Sequence, residues 1–111
     1  FFTLHLKYEE LYNAAQQSID EIAERIVTLE GVPLHTYSDY VRQSEIKEYK
    51  NITSAKETVE KVVENLSILI VKERDILAGA NELGDDVTVD IMTELIRFQE
   101  KTMWMLNAFN S

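Results

Sequence analysis

The sequence of 111 residues contains no cysteine, one proline and only three glycines. The absence of cysteine excludes disulfides, thiolate zinc sites and thiol catalysis, and it accords with a protein of the reducing cytoplasm. A β-sandwich or a doubly wound sheet of this length would need many more turn residues. The scarcity of turn residues therefore predicts an all-α fold built from a few long helices.

Long apolar runs and excess positive charge are also missing. The longest apolar stretch, residues 66–71, is interrupted by Ser67 and is far shorter than the ~20 residues that span a bilayer, so no membrane segment is expected. The net charge of −9 repels a phosphate backbone and argues against DNA binding by this chain. An acidic surface suits a protein that collects cations, but it suits an ordinary soluble surface equally well.

Apolar residues recur at helical spacing along most of the chain. The first helix is predicted over residues 4–30, with Thr3 as its N-cap and with Gly31 and Pro33 as its stop signal. At about 100° per residue, its apolar face consists of Leu4, Tyr8, Leu11, Ala15, Ile22, Ile26 and Leu29. A short helix is predicted over residues 36–44, inside a connection that covers residues 31–53. So long a connection is typical of the crossover between two bundle helices that run in the same direction.

Two further long helices follow the crossover. Ser54 and Glu57 form a capping box that opens a helix over residues 55–83, which Gly84 ends, and Asp85 or Asp86 caps the last helix. The predicted buried residues are Val59, Val62, Leu66, Leu69, Ile70, Ile76, Leu77 and Ala80 in the first of these helices, and Ile91, Leu95, Phe98, Met105 and Phe109 in the second. The short turn at Gly84 predicts antiparallel neighbours. The whole chain, residues 1–111, is interpreted as one N-terminally incomplete domain, a four-helix bundle whose first helix would precede Phe1.

Four residues of the first helix have metal-ligating side chains: His5, Glu9, Asp20 and Glu24. His5 and Glu9 are spaced i,i+4, as are Asp20 and Glu24, so each pair projects from one face of the helix. All four lie within roughly 100° around the axis, on one stripe beside the core face. His5 and Asp20 are about 22 Å apart along the axis, which is too far for one metal.

Two copies of this helix, antiparallel about a twofold axis near residues 13–16, would unite the pairs. The His5 pair of one copy would then face the Asp20 pair of the other, and twofold dimers are the commonest symmetric assembly. Imidazole and carboxylates with open positions suit Fe(II), and hard oxygen ligands suit Fe(III). Spacing alone leaves the ordinary alternative open, since an acidic residue on a helix is usually just solvated.

Several motifs, taken together and in order, resemble the Dps-type mini-ferritins. The motif of the first helix comprises Phe1-Phe2-Thr3-Leu4-His5, Glu9-Glu10-Leu11-Tyr12 and Ile19-Asp20-Glu21-Ile22-Ala23-Glu24-Arg25. It is followed by Gly31-x-Pro33-Leu34-x-Thr36, Gly84-Asp85-Asp86-Val87-Thr88 and Trp104-Met105-Leu106-x-Ala108-Phe109. The resemblance covers nearly the whole chain, and the first-helix motif is specific.

The resemblance implies a ferritin-like four-helix subunit, twelve of which form a hollow shell built from twofold dimers. It implies a ferroxidase that oxidises Fe(II), usually with hydrogen peroxide, at sites between subunits and stores ferric iron inside, which protects against oxidative stress. His5, Glu9, Asp20 and Glu24 fall on the family's ligand positions. Trp104 matches a tryptophan considered as an electron donor near the site, whereas residue type alone favours core and interface packing. Asp86 and Asp90 match the acidic lining of an iron-entry pore, whereas position alone favours helix capping.

The sequence departs from the family pattern in several respects, among them Thr102, which stands where many members have a His that is not a ligand. Position 9 is Glu, where many members have Asp, and the family's second ligand histidine lies on a preceding helix that this chain lacks. Basic tails of the kind that bind DNA in some members are not visible. The alternative function is a DNA-protecting shell protein with little or no ferroxidase activity, and a helical interaction module without chemistry is a third.

Overall fold

The computed structural model describes residues 2–111, and its elements are helices. In chain order they are α1 (Phe2–Thr28), α2 (Tyr37–Gln43), α3 (Ala55–Glu82) and α4 (Asp86–Asn110). No strand occurs among the described residues, which confirms the all-α prediction. The short helix predicted in the long connection is present as α2. The chain divides into two compact units, one that carries α1 and α2 as far as Ser44, and Glu45–Ser111.

Helix α1 buries most of the face that its apolar residues mark. The predicted residues that are buried or partly buried are Leu4, Tyr8, Leu11, Ile22 and Ile26. Ala15 and Leu29 are exposed, and Leu29 lies beyond the last helical residue. The prediction that Thr3 is the N-cap was wrong, because helical conformation already includes Phe2.

Helix α1 ends in a Schellman motif whose left-handed residue is Glu30 and not Gly31. The N–H of Gly31 donates to the carbonyl of Ile26 at 2.8 Å, and that of Glu30 donates to the carbonyl of Val27 at 2.9 Å. Glu30 has a φ of 68°. Gly31 is needed for a different reason, since a Cβ atom at this position would lie 2.9 Å from Cγ2 of Ile26. Helix α1 therefore ends close to the predicted position. Its glycine is required because a side chain at position 31 would collide with Ile26, and not because Gly31 is left-handed.

Local side-chain bonds set the starts of the other helices. The hydroxyl of Thr36 accepts the N–H of Asp39 before α2. Ser54 accepts the N–H of Glu57 at 3.2 Å, which confirms the cap of α3. Of the two caps proposed for α4, Asp85 is the one observed, because its carboxylate accepts the N–H of Thr88 at 3.1 Å.

Helices α3 and α4 form an antiparallel pair, as the short turn at Gly84 predicts. The side chain of Asn110, at the end of α4, donates to the carbonyl of Lys56 at the start of α3. Nearer the middle of both helices, Arg74 and Glu100 form an ion pair at 2.7 Å. Considered over residues 2–111, the helices include none that is both long and apolar enough to cross a membrane.

The buried face of α4 is rotated by about one residue from the predicted one. Its buried residues are Thr88, Met92, Leu95, Ile96, Gln99, Thr102 and Leu106. Of the predicted residues only Leu95 is fully buried, while Phe109 is exposed. Polar Gln99 and Thr102 occupy buried positions, so a search for apolar residues alone marks the neighbouring positions instead. In α3, four of the predicted residues are fully buried, namely Val59, Leu66, Ile70 and Ala80. Val62, Leu69 and Leu77 are partly buried, and Ile76 is half exposed.

Candidate metal centre

The side chains of His5, Glu9, Asp20 and Glu24 are exposed along α1, which is helical from Phe2 to Thr28. Since the helix is uninterrupted, each i,i+4 pair shares one face, and the two pairs are separated by about 22 Å along the axis. Within residues 2–111, no three His, Asp or Glu side chains gather closely enough to hold a metal ion. We call His5–Glu9 and Asp20–Glu24 the two ligand pairs.

Large apolar side chains lie exposed on the same stripe as the ligand pairs. Tyr12 and Ile19 are each 62% exposed, and Val27 is 59% exposed. Tyr12 and Ile19 were not predicted as part of this stripe, although both lie within about 40° of His5 around the helix axis. Apolar side chains of this size interspersed with carboxylates are typical of a surface that another subunit covers.

The stripe carries three carboxylates and one imidazole, so it attracts cations. Lys7 forms its ion pair with Glu10 at 3.1 Å, and both of these residues project from the helix outside the stripe. Near the centre, the amide of Gln16 donates to the hydroxyl of Tyr12 at 3.1 Å. Imidazole with carboxylates is a donor set that fits iron in both oxidation states.

The other candidate residues lie on α4. Asp86 is the first residue of the helix and Asp90 follows one turn later, and both side chains are exposed on the same side. Trp104 is 65% exposed. It is therefore not a core residue of its own unit.

Residues 1–111 match the family described as the ferritin-like domain. Among curated proteins, it is 43% identical to a DNA protection during starvation protein of Porphyromonas gingivalis, over 98% of this chain and 69% of that protein. It is 34% identical to general stress protein 20U of Bacillus subtilis, over 98% of this chain and 75% of that protein.

A solved structure confirms that this chain has the ferritin-like fold. The crystal structure of the Dps protein from Vibrio cholerae is described as a member of a broad superfamily of ferritin-like diiron-carboxylate proteins. It matches this chain with a TM-score of 0.94 and 44% identity, covering 100% of this chain and 70% of that one.

Proposed function

This chain belongs to the ferritin-like family, in its Dps branch, and on that premise we propose that it oxidises Fe(II) between subunits and stores the ferric product. The proposed assembly is a closed homo-oligomeric shell, a dodecamer built from twofold dimers, located in the cytoplasm. The benefit to the cell is protection from oxidative stress, since iron held in the shell cannot generate hydroxyl radicals.

The observation that carries this proposal is the composition of the exposed stripe on α1. The ligand pairs alternate along it with Tyr12, Ile19 and Val27, whose apolar surfaces are in contact with water in a single chain. An antiparallel second copy would cover those side chains and would bring each ligand pair to the complementary pair of its partner. The same contact would therefore bury apolar surface and complete the site.

The chemistry uses iron as the substrate. Two Fe(II) ions each give one electron to a hydrogen peroxide molecule, which takes up two protons and leaves as two water molecules. The carboxylates of Glu9, Asp20 and Glu24 would neutralise iron charge and favour the harder ferric product, while His5 would supply the nitrogen ligand. Peroxide is proposed as the oxidant because it is the one usual in the Dps family.

Residues of α4 have supporting roles in this proposal. Asp86 and Asp90 would line an acidic entry route, where two carboxylates on one side of the helix raise the local concentration of cations. Trp104, which is largely exposed, would pack near the site in the assembled protein and serve as an electron donor.

The DNA-protecting alternative is favoured by the names of relatives such as the Porphyromonas gingivalis protein. The net charge of −9 opposes direct contact between this chain and a phosphate backbone. Protection of DNA by iron removal needs no such contact and would follow from the proposed ferroxidase activity itself.

The test compares Asp20→Asn with Glu21→Gln in the full-length protein. Asp20 is in a ligand pair, whereas Glu21 is about 100° further around α1 and outside the stripe. We expect Asp20→Asn to lower the initial rate of Fe(II) oxidation at least ~10-fold, because changes even to groups that support metal ligands cost about 10–100-fold. The rate is followed by the absorbance of ferric product after peroxide is added, and light scattering checks assembly. Unchanged oxidation by an assembled Asp20→Asn shell, or an equal loss in Glu21→Gln, would remove Asp20 from the site.

A further inference from the structure

Glu73 of α3 and Gln99 of α4 form a buried polar pair that is not among the candidate metal ligands. Each residue is only 8% exposed. The Nε2 group of Gln99 donates to Oε2 of Glu73 at 2.8 Å. The two remaining oxygens, Oε1 of Glu73 and Oε1 of Gln99, are buried and have no hydrogen-bond partner among residues 2–111.

The two unpartnered oxygens can form a hydrogen bond with each other only if the carboxyl group of Glu73 carries a proton. A carboxylate oxygen and an amide oxygen both accept hydrogen bonds, so neither can satisfy the other while Glu73 is ionised. A protonated carboxyl group has one O–H donor. With that donor, an acid and a primary amide can form a cyclic pair in which each group donates once and accepts once.

We propose that Glu73 and Gln99 form a proton-operated link between α3 and α4, in which proton uptake on Oε1 of Glu73 closes a second hydrogen bond to Oε1 of Gln99. The ionised pair has one hydrogen bond and two unsatisfied acceptors. The protonated pair has two hydrogen bonds and satisfies both of these oxygens. Unsatisfied buried acceptors are costly, so protonation strengthens the connection between the helices.

The basic residues that flank the pair in sequence are either ion-paired with other residues or exposed. On α3, the flanking Lys72 and Arg74 form ion pairs with Glu45 and Glu100 respectively. On α4, Arg97 pairs with Glu94 and Lys101 is exposed. The Glu73 carboxylate therefore has an amide, and no cation, as its hydrogen-bond partner within the described chain.

The electrostatic environment acts in the same direction. Burial raises the pKa of Glu73, and the hydrogen bond from Gln99, which lowers the pKa, opposes this in part. A carboxyl whose pKa is raised on folding contributes stability that is complete below its unfolded pKa. That contribution is lost as the pH rises through the folded-state pKa. The link therefore tightens in acid and loosens toward neutral pH.

The test is an infrared titration of the assembled full-length protein from neutral pH to about pH 4, near the reference pKa of glutamate. In the difference between wild type and Glu73→Gln, we expect a carboxylic-acid carbonyl band that appears at higher pH than the bulk of the carboxyl groups. Glu100→Gln is the matched control, since Glu100 is an exposed carboxylate on the same helix-helix seam. The inference is overturned if the Glu73 band titrates together with the band deleted by Glu100→Gln.

Two further measurements separate the pair from burial alone. Gln99→Leu removes the amide, so the Glu73 carbonyl band should shift in frequency, and an unshifted band would contradict the cyclic pair. Glu73→Gln keeps the shape of the side chain and is neutral at every pH. Its melting temperature should exceed that of wild type at neutral pH, with a gap that closes as the pH falls. A gap that does not change with pH would overturn the proposal.

Discussion

At the residue scale, one side chain attaches the segment that precedes α3 to the helix itself. Asn65 accepts the backbone N–H of Lys47 at 3.1 Å and donates to the carbonyl of Lys47 at 3.0 Å. The Nζ group of Lys47 also bonds Glu64 at 3.0 Å. This contact raises the pKa of Lys47 and lowers that of Glu64, each chiefly through the hydrogen bond between them. Asn65 thus satisfies the backbone N–H and the carbonyl of Lys47, which lies outside the helices.

Replacing Asn65 by Ala should release Lys47 from α3. We expect the free energy of unfolding to fall by about 1–2 kcal/mol, the order expected for two solvent-accessible hydrogen bonds, and the Lys47 amide to exchange faster with solvent. Denaturant unfolding and hydrogen exchange measure these changes. Ser67→Ala is the control, since the Ser67 hydroxyl donates within α3, to the carbonyl of Val63. Unchanged protection of the Lys47 amide in Asn65→Ala would show that Asn65 does not hold the segment.

At the scale of the element, two long helices end in the same motif with different residues in the left-handed position. In α3 this residue is Gly84, with a φ of 73°. The N–H of Asp85 donates to the carbonyl of Ala80 at 2.8 Å, as the Schellman motif requires. In α1 the equivalent residue is Glu30, which bears a Cβ atom in a conformation that costs most residues about 1–2 kcal/mol. One helix end is therefore relaxed and the other is strained.

Substitutions at Gly84 and Glu30 should change the free energy of unfolding in opposite directions. Gly84→Ala should lower the free energy of unfolding by about 1 kcal/mol, and Glu30→Gly should raise it by up to ~1 kcal/mol, since the relief of strain exceeds the added flexibility of the unfolded chain. Denaturant unfolding of the full-length protein measures both. Gly31→Ala serves as a control and should destabilise, because its Cβ atom would meet Ile26. Destabilisation by Glu30→Gly would show that Glu30 is not strained.

At the scale of the whole molecule, the two ligand pairs of α1 lead us to expect that each metal site takes ligands from two copies of the chain. Each pair contributes half of a proposed site, and the distance between them forbids a site within one helix. In this proposal, the oxidation of Fe(II) therefore depends on the assembly of the subunits. A change that separates the subunits should remove oxidation even when all four ligand residues are intact.

Subunit mixing tests whether the site is shared. One variant carries His5→Ala and Glu9→Ala, the other Asp20→Asn and Glu24→Gln, and each alone should be inactive. When the two are unfolded together and reassembled, one of the two sites in each mixed dimer regains all four ligands. Random pairing should restore about a quarter of the wild-type sites in a twofold arrangement, measured as the amplitude of rapid Fe(II) oxidation. If the mixture stays inactive although mass spectrometry shows mixed shells, the shared-site geometry is wrong.

The candidate site could be foreseen from the sequence to the extent that it depends on one helix. The angular spacing of His5, Glu9, Asp20 and Glu24 follows from helix geometry alone, and so does the distance that prevents them from meeting. The same geometry could have identified Tyr12 and Ile19 as exposed apolar residues of the stripe. What the spacing cannot provide is the partner surface, because its position depends on contacts made by a second copy.

The sequence by itself determined the number, order and approximate ends of the helices. These depend on signals within a few residues of one another, such as the serine cap at Ser54, the glycine at Gly84 and the apolar periodicity between them. The tertiary structure decided that Gln99 and Thr102 face the interior, and that Glu73 lies opposite Gln99. The buried amide of Gln99 donates to Glu73, which is 26 residues away along the chain, and that pairing depends on how the two helices are aligned. Local signals could not specify this alignment, because it results from all the contacts between the helices at once.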